Sequence, residues 1–226
     1  MAKSRTPKNN DDLLLDVTEV SEKAGSFVEE NQTLLIGIAG LVVAIVAGFI
    51  AFNMLYKAPR EKAAMEQMFK AEYQFQRDSF ALALENPGAG YDGFLDIIDN
   101  YGGTDAANLA KYYAGVSYLN LNRFEDAISF LKSYKAKGKV TPITKWGAIG
   151  DAESELGNME SAIDAYRKAT TTRNSALTPY YLDKLGLLLQ RQGDSAGALA
   201  AFERIKKEYP KSTEAADVEK YVAMLK

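Results

Sequence analysis

Asp96 and Asp99 stand three residues apart, a spacing that puts two carboxylates on one side of a helix, where they could do general acid–base work. The run around them, Phe94-Leu95-Asp96-Ile97-Ile98-Asp99-Asn100-Tyr101, reads instead as an amphipathic helix whose acids form its solvated face. No partner chemistry accompanies the pair. The 226-residue chain has no histidine and no cysteine. That removes thiol nucleophiles, Cys/His zinc sites, Ser-His-Asp triads and imidazole proton transfer together. It also lacks a phosphate-binding glycine loop and any metal-ligand spacing. The expectation is a protein that is not an enzyme and holds no cofactor and no metal. Lys and Arg number 27 against 30 Asp and Glu, a net charge of −3, so no nucleic-acid partner is expected.

What must position any binding surface is a tethered array of helices. From Asn31 to Tyr56 no side chain is charged, and Leu34 to Phe52 is almost wholly apolar. At 1.5 Å per residue this covers a hydrocarbon core of about 30 Å. The run is too long and too far from the start for a signal peptide, and it has no polar face, unlike a soluble core helix. Residues 34–56 are therefore predicted to span a membrane, with residues 1–33 before them and one domain, 57–226, after. Gly40, Ala44 and Gly48 form a small-xxx-small face on that helix, suited to close helix packing.

Beyond the span the sequence repeats. Gly115, Gly150 and Gly186 are 35 and 36 residues apart, and Ala127, Ala162 and Ala198 keep the same intervals. Leu131, Tyr166 and Phe202 follow each alanine by four. Between glycine and alanine lie Asn120-Leu121-Asn122-Arg123, Leu156-Gly157-Asn158 and Gln192-Gly193-Asp194, each a turn signal. The physical reading is two helices per unit. Their small residues allow close approach, and the large residue one turn on fills the space beside it. This period and pattern is the tetratricopeptide repeat signature. Clear units are predicted at 105–138, 143–172 and 179–210, with a capping helix at 213–226. A degenerate unit at 60–104 precedes them, because Phe94 to Tyr101 aligns with Phe202 to Tyr209 at an offset of 108. Its first helix should run from about Arg60 to Leu84, with Met65, Met68, Phe69, Tyr73, Phe80 and Leu82 in the core. Trp146 is also expected in the core. The fold class is thus all-α: one N-terminal transmembrane helix, then an α-solenoid of about four helical hairpins and a cap.

Leu13, Val17, Val20, Ala24 and Phe27 form one helical stripe before the span, opposite Asp16, Glu19 and Glu22. Such an acidic helix suits a protein partner better than anionic lipid; equally, it could simply continue into the span. Orientation stays open, because Lys23 alone precedes the span closely, against Lys57, Arg60, Lys62 and Lys70 after it. Counting Lys3, Arg5 and Lys8 makes the sides equal.

The chain resembles the YfgM-type family of bacterial inner-membrane repeat proteins, ancillary to the Sec translocon, in its Bacteroidota-type form. The likeness rests on the acidic stretch Asp11 to Glu30 before one span, on Met68-Phe69-Lys70-Ala71-Glu72 and Asp78-Ser79-Phe80, and on Gly93 to Asp99, Tyr101-Gly102-Gly103-Thr104 and Asn108 to Gly115. It implies a cytoplasmic tail and a periplasmic repeat domain. The partners it implies are the translocon, a membrane-tethered prolyl-isomerase-type chaperone and exported clients.

A solenoid of this kind presents its first helices as a groove for peptides or partner helices. Candidate groove residues are Leu109, Tyr112 and Val116 in one unit, Gly147 and Asp151 in the next, and Tyr180, Asp183 and Leu187 in the last. Half of these would equally serve packing between units. A clamp for a C-terminal carboxylate is not expected, since Tyr112, Val116, Gly147 and Asp183 stand where such clamps use Lys, Asn and Arg.

Overall fold

The computed structural model describes residues 27–225, all helix and connecting turns, with no strand among them. The stripe expected before the span therefore lies, up to residue 26, outside the described residues. Contacts divide the chain after Ala58 into two units.

In the first unit, α1 spans Gln32–Phe52 and is followed by a π-helical turn, Asn53–Lys57. The helix is long and apolar enough to cross a membrane, and none of its side chains is buried. A soluble helix with this composition would bury a face, so full exposure in an apolar helix fits a lipid solvent. Around Gly40 and Gly48 no described residue lies within 4 Å of where a Cβ would stand.

The second unit is a run of hairpins: α2 (Ala58–Phe75), α3 (Phe80–Glu85) and α4 (Phe94–Asn100); α5 (Asp105–Asn120) and α6 (Phe124–Ser133); α7 (Thr141–Glu155) and α8 (Met159–Ala169); α9 (Leu177–Arg191) and α10 (Ser195–Glu208); then α11 (Thr213–Leu225). Each clear hairpin turns by one device. Asn122, Gly157 and Gly193 take positive φ of 58°, 78° and 82° just past α5, α7 and α9. The next residue's N–H then reaches back five positions: Arg123 to Tyr118 O at 2.9 Å, Asn158 to Glu153 O at 2.9 Å, Asp194 to Leu189 O at 3.0 Å. This left-handed cap satisfies the last carbonyls and reverses the chain.

The glycine ladder does what its spacing requires. A Cβ at Gly115 would meet Leu131 Cγ at 2.6 Å, one at Gly150 would meet Tyr166 Cδ1 at 2.6 Å, and one at Gly186 would meet Phe202 Cε1 at 2.5 Å. Ala127, Ala162 and Ala198 are each fully buried at the same crossings. Hairpins then stack through Ile143, Tyr181, Leu182 and Leu185, and the last is closed by Val218 and Val222 of α11.

Two expectations fail in the first hairpin. The helix read as continuous from Arg60 to Leu84 breaks at residues 76–79. Asp78 adopts φ 56° and Ser79 N–H bonds to Gln74 O at 3.0 Å, a left-handed cap that ends α2. Its buried face is Ala64, Met68 and Ala71, against Ala83, Leu84, Phe94 and Ile97. Met65, Phe69, Tyr73 and Leu82 are exposed instead. Two apolar stripes run along α2, about 100° apart, and the alanine-bearing one fits a close helix approach. Side-chain hydrogen bonds fix that choice. Gln74 Nε2 donates to Pro87 O at 3.0 Å, Gln67 Oε1 accepts Asp92 N–H at 3.3 Å, and the Glu61 carboxylate accepts Asp105 and Ala106 N–H at 2.7 and 2.8 Å.

Candidate protein-binding groove

The first helices of three successive hairpins, α5, α7 and α9, line up side by side, and an open groove of about 580 Å³ runs across them. Leu119 and Asn122 come from the end of α5. Asp151, Ser154 and Glu155 come from α7, and Lys184, Leu187, Leu188 and Arg191 from α9; Phe124 and Tyr166 complete the wall. At its centre Asp151 Oδ1 accepts the Tyr166 hydroxyl at 2.7 Å and the Lys184 ammonium at 2.6 Å. Burial by itself would lower the Lys184 pKa. The hydrogen bond and charge of Asp151, with Tyr180 behind them, outweigh it and hold the pKa above the ordinary value. Burial first, then the Asp151 charge, raises Tyr166 well above the usual phenol range, so it remains a neutral donor.

This trio is a wall with its charge already matched. A ligand therefore meets apolar Leu187 and half-buried Leu119 between Glu155 on one helix and Arg191 on another. That arrangement can hold a peptide or helix by apolar contact and pair charges at its margins. No group of three or more His, Cys, Asp or Glu converges as a metal site among the described residues.

Of the residues expected in the groove, Asp151 and Leu187 line it. Tyr180 is exposed at one end, with Lys184 Nζ 5.0 Å above its ring and Tyr181 edge-on at 5.0 Å. The others go elsewhere. Leu109 packs against the core that holds Met68 and Phe94, and Val116 against Leu131, Ala148 and Ile149. Tyr112 lies 5.3 Å from the Tyr134 ring. Gly147 is buried beneath Tyr181, whose Cζ, Cε1 and hydroxyl occupy the space a side chain would need. Asp183 turns toward α11, where burial and then the Glu214 and Asp217 charges raise its pKa. Trp146, expected in the core, is only partly buried, with Lys168 Nζ 4.4 Å above its ring. Lys184 and Arg191 line the groove beyond the residues expected from sequence. Positions 180, 184, 187 and 191 repeat at 4, 3 and 4, the stripe that would have found them.

Two sequence models of the tetratricopeptide repeat match the chain: one at residues 109–137 and 180–212, the other at 146–175. The matched segments are the three clear hairpins, and the chain carries tetratricopeptide repeats. No curated protein matches it significantly.

Proposed function

We propose that this tetratricopeptide-repeat protein is a single-pass adaptor of a bacterial inner membrane. In this reading α1 crosses the bilayer with the N-terminus cytoplasmic, and the periplasmic repeat domain binds protein partners beside the Sec translocon. Those partners are a membrane-tethered prolyl-isomerase-type chaperone or an exported client, and the role is recruitment, not catalysis. The observation that carries the proposal is the groove built on three successive first helices, with exposed Leu187 and half-buried Leu119 between Glu155 and Arg191. The apolar α1 supports the anchor, and the family resemblance supplies compartment and partners. A cytosol-facing receptor or assembly scaffold is the second reading, favoured by Lys57, Arg60, Lys62 and Lys70 on the C-terminal flank of the span.

Topology separates the two. A phosphatase active only in the periplasm, fused to the C-terminus, should be active, and a fluorescent cytoplasmic fusion should be dark; the reverse pattern selects the second reading. In mild detergent, translocon subunits should co-purify with the chain. Leu187 is 37% exposed, so Leu187→Asp should remove the chaperone or client that co-purifies, with thermal stability unchanged. Co-purification of that partner that survives Leu187→Asp would place the binding surface outside the groove.

A further inference from the structure

The repeat unit has two edges of opposite charge. On one, the first helices begin and the second helices end; on the other lie the tight turns. The first edge carries Lys135, Lys137 and Lys139 in the loop from α6 to α7, Arg173 in the loop from α8 to α9, and Lys168 and Lys207 in the last turns of α8 and α10, all exposed. Its carboxylates are fewer than its bases: Asp105 pairs with Lys137 at 2.6 Å and Glu208 lies 3.6 Å from Arg173, while Glu61, Asp99 and Glu214 sit at the ends of α2, α4 and α11. The second edge exposes Glu125, Glu155, Glu160 and Asp194; of its bases, Arg191 is exposed in the last turn of α9 and Arg123 is paired with Asp126 at 2.7 Å. Helix dipoles account for bases in last turns. They do not account for four loop cations in a chain whose net charge is −3. The charge is segregated, not merely present.

The chain enters this unit at the basic edge. Glu61 in the first turn of α2 holds the N–H groups of Asp105 and Ala106, and Asp105 holds Lys137. Glu61 follows Tyr56, the last residue of the uncharged run, by only five positions. Five residues reach at most about 18 Å, which bounds the length of chain between the end of the uncharged run and Glu61. We infer that the basic edge docks on anionic lipid headgroups of the membrane in which the chain is anchored. The inference rests on α1 crossing that membrane. The tether favours lipid over an acidic protein, because it holds headgroups near the lysines at constant high local concentration.

The full chain has no native cysteine, so a single label can be placed cleanly. Val140→Cys labels the basic edge at a residue 48% exposed, and Ser161→Cys labels the opposite one. In nanodiscs carrying a headgroup acceptor dye, energy transfer from position 140 should be higher with phosphatidylglycerol present than with phosphatidylcholine alone. Transfer from position 161 should not change. The increase should vanish at about 1 M salt, where the screening length is about 3 Å, and in the K135E/K137E/K139E variant. Equal transfer in the two lipids overturns the inference and leaves the anchor standing. Displacement by added polyglutamate, with equal transfer in both lipids, assigns the edge to an acidic protein and overturns it too. A chain that does not enter the discs removes the anchor and the inference together.

Discussion

Gly150→Ala sets two forces of known sign against each other. Alanine in a helix interior is favoured over glycine by about 0.8–1 kcal/mol. A methyl at this position would lie 2.6 Å from both Cδ1 and Cε1 of Tyr166, about 0.8 Å inside the closest ordinary contact of 3.4 Å. The ring cannot swing away cheaply. It is 4% exposed, lies 6.2 Å from the Tyr181 ring, and its hydroxyl is held by Asp151 at 2.7 Å. Overpacking of this kind costs about 1–3 kcal/mol, and a displaced ring forfeits about 1 kcal/mol more with its hydrogen bond. The balance is a loss of about 2 kcal/mol. For a unit of this size that lowers Tm by roughly 4–8 °C, read by far-ultraviolet circular dichroism of the detergent-solubilised chain. Tyr166→Ala alone also destabilises, but the double variant should lose clearly less than the sum, because the cavity accepts the methyl. A Gly150→Ala protein as stable as the parent or more so, or strict additivity in the double variant, would refute the close-approach account of the ladder.

Two further outcomes follow from other contacts. Glu61→Gln weakens the carboxylate cap on α5, where Glu61 accepts the Asp105 and Ala106 N–H groups, and should destabilise by about 1–2 kcal/mol; urea unfolding measures it, and a variant as stable as the parent would refute it. Asp183 has a buried Oδ1 with no hydrogen-bond partner, and its pKa is raised by burial and by Glu214 and Asp217, with Lys220 opposing. The native state therefore binds the proton more tightly than the unfolded chain, and ionised Asp183 costs stability above its raised pKa. Asp183→Asn should be more stable than the parent at pH 7, with the gain lost as pH falls through that pKa; a gain that persists in strong acid would refute it.

Much of the fold is legible without coordinates because it is encoded locally and three times over. Gly115, Gly150 and Gly186 must face the residues four beyond Ala127, Ala162 and Ala198, since period and helix geometry leave no other partner. Asn122, Gly157 and Gly193 are types that accept the left-handed conformation, so the turns are written in them. An uncharged run long enough to cross a bilayer is likewise a property of the chain alone. Which face a helix buries is not such a property. Met65 and Phe69 are as apolar as Met68; the close approach that buries Ala64 and Ala71, with the pinning of Gln67, Gln74 and Glu61 to neighbouring backbone, turns Met68 inward. Along α9, one step of rotation decides whether Asp183 or Lys184 meets the groove. The sequence offers both, and the Asp151 carboxylate on the adjacent hairpin selects the lysine. Helical periodicity defines stripes; contacts between hairpins far apart in sequence decide which stripe is core and which is surface.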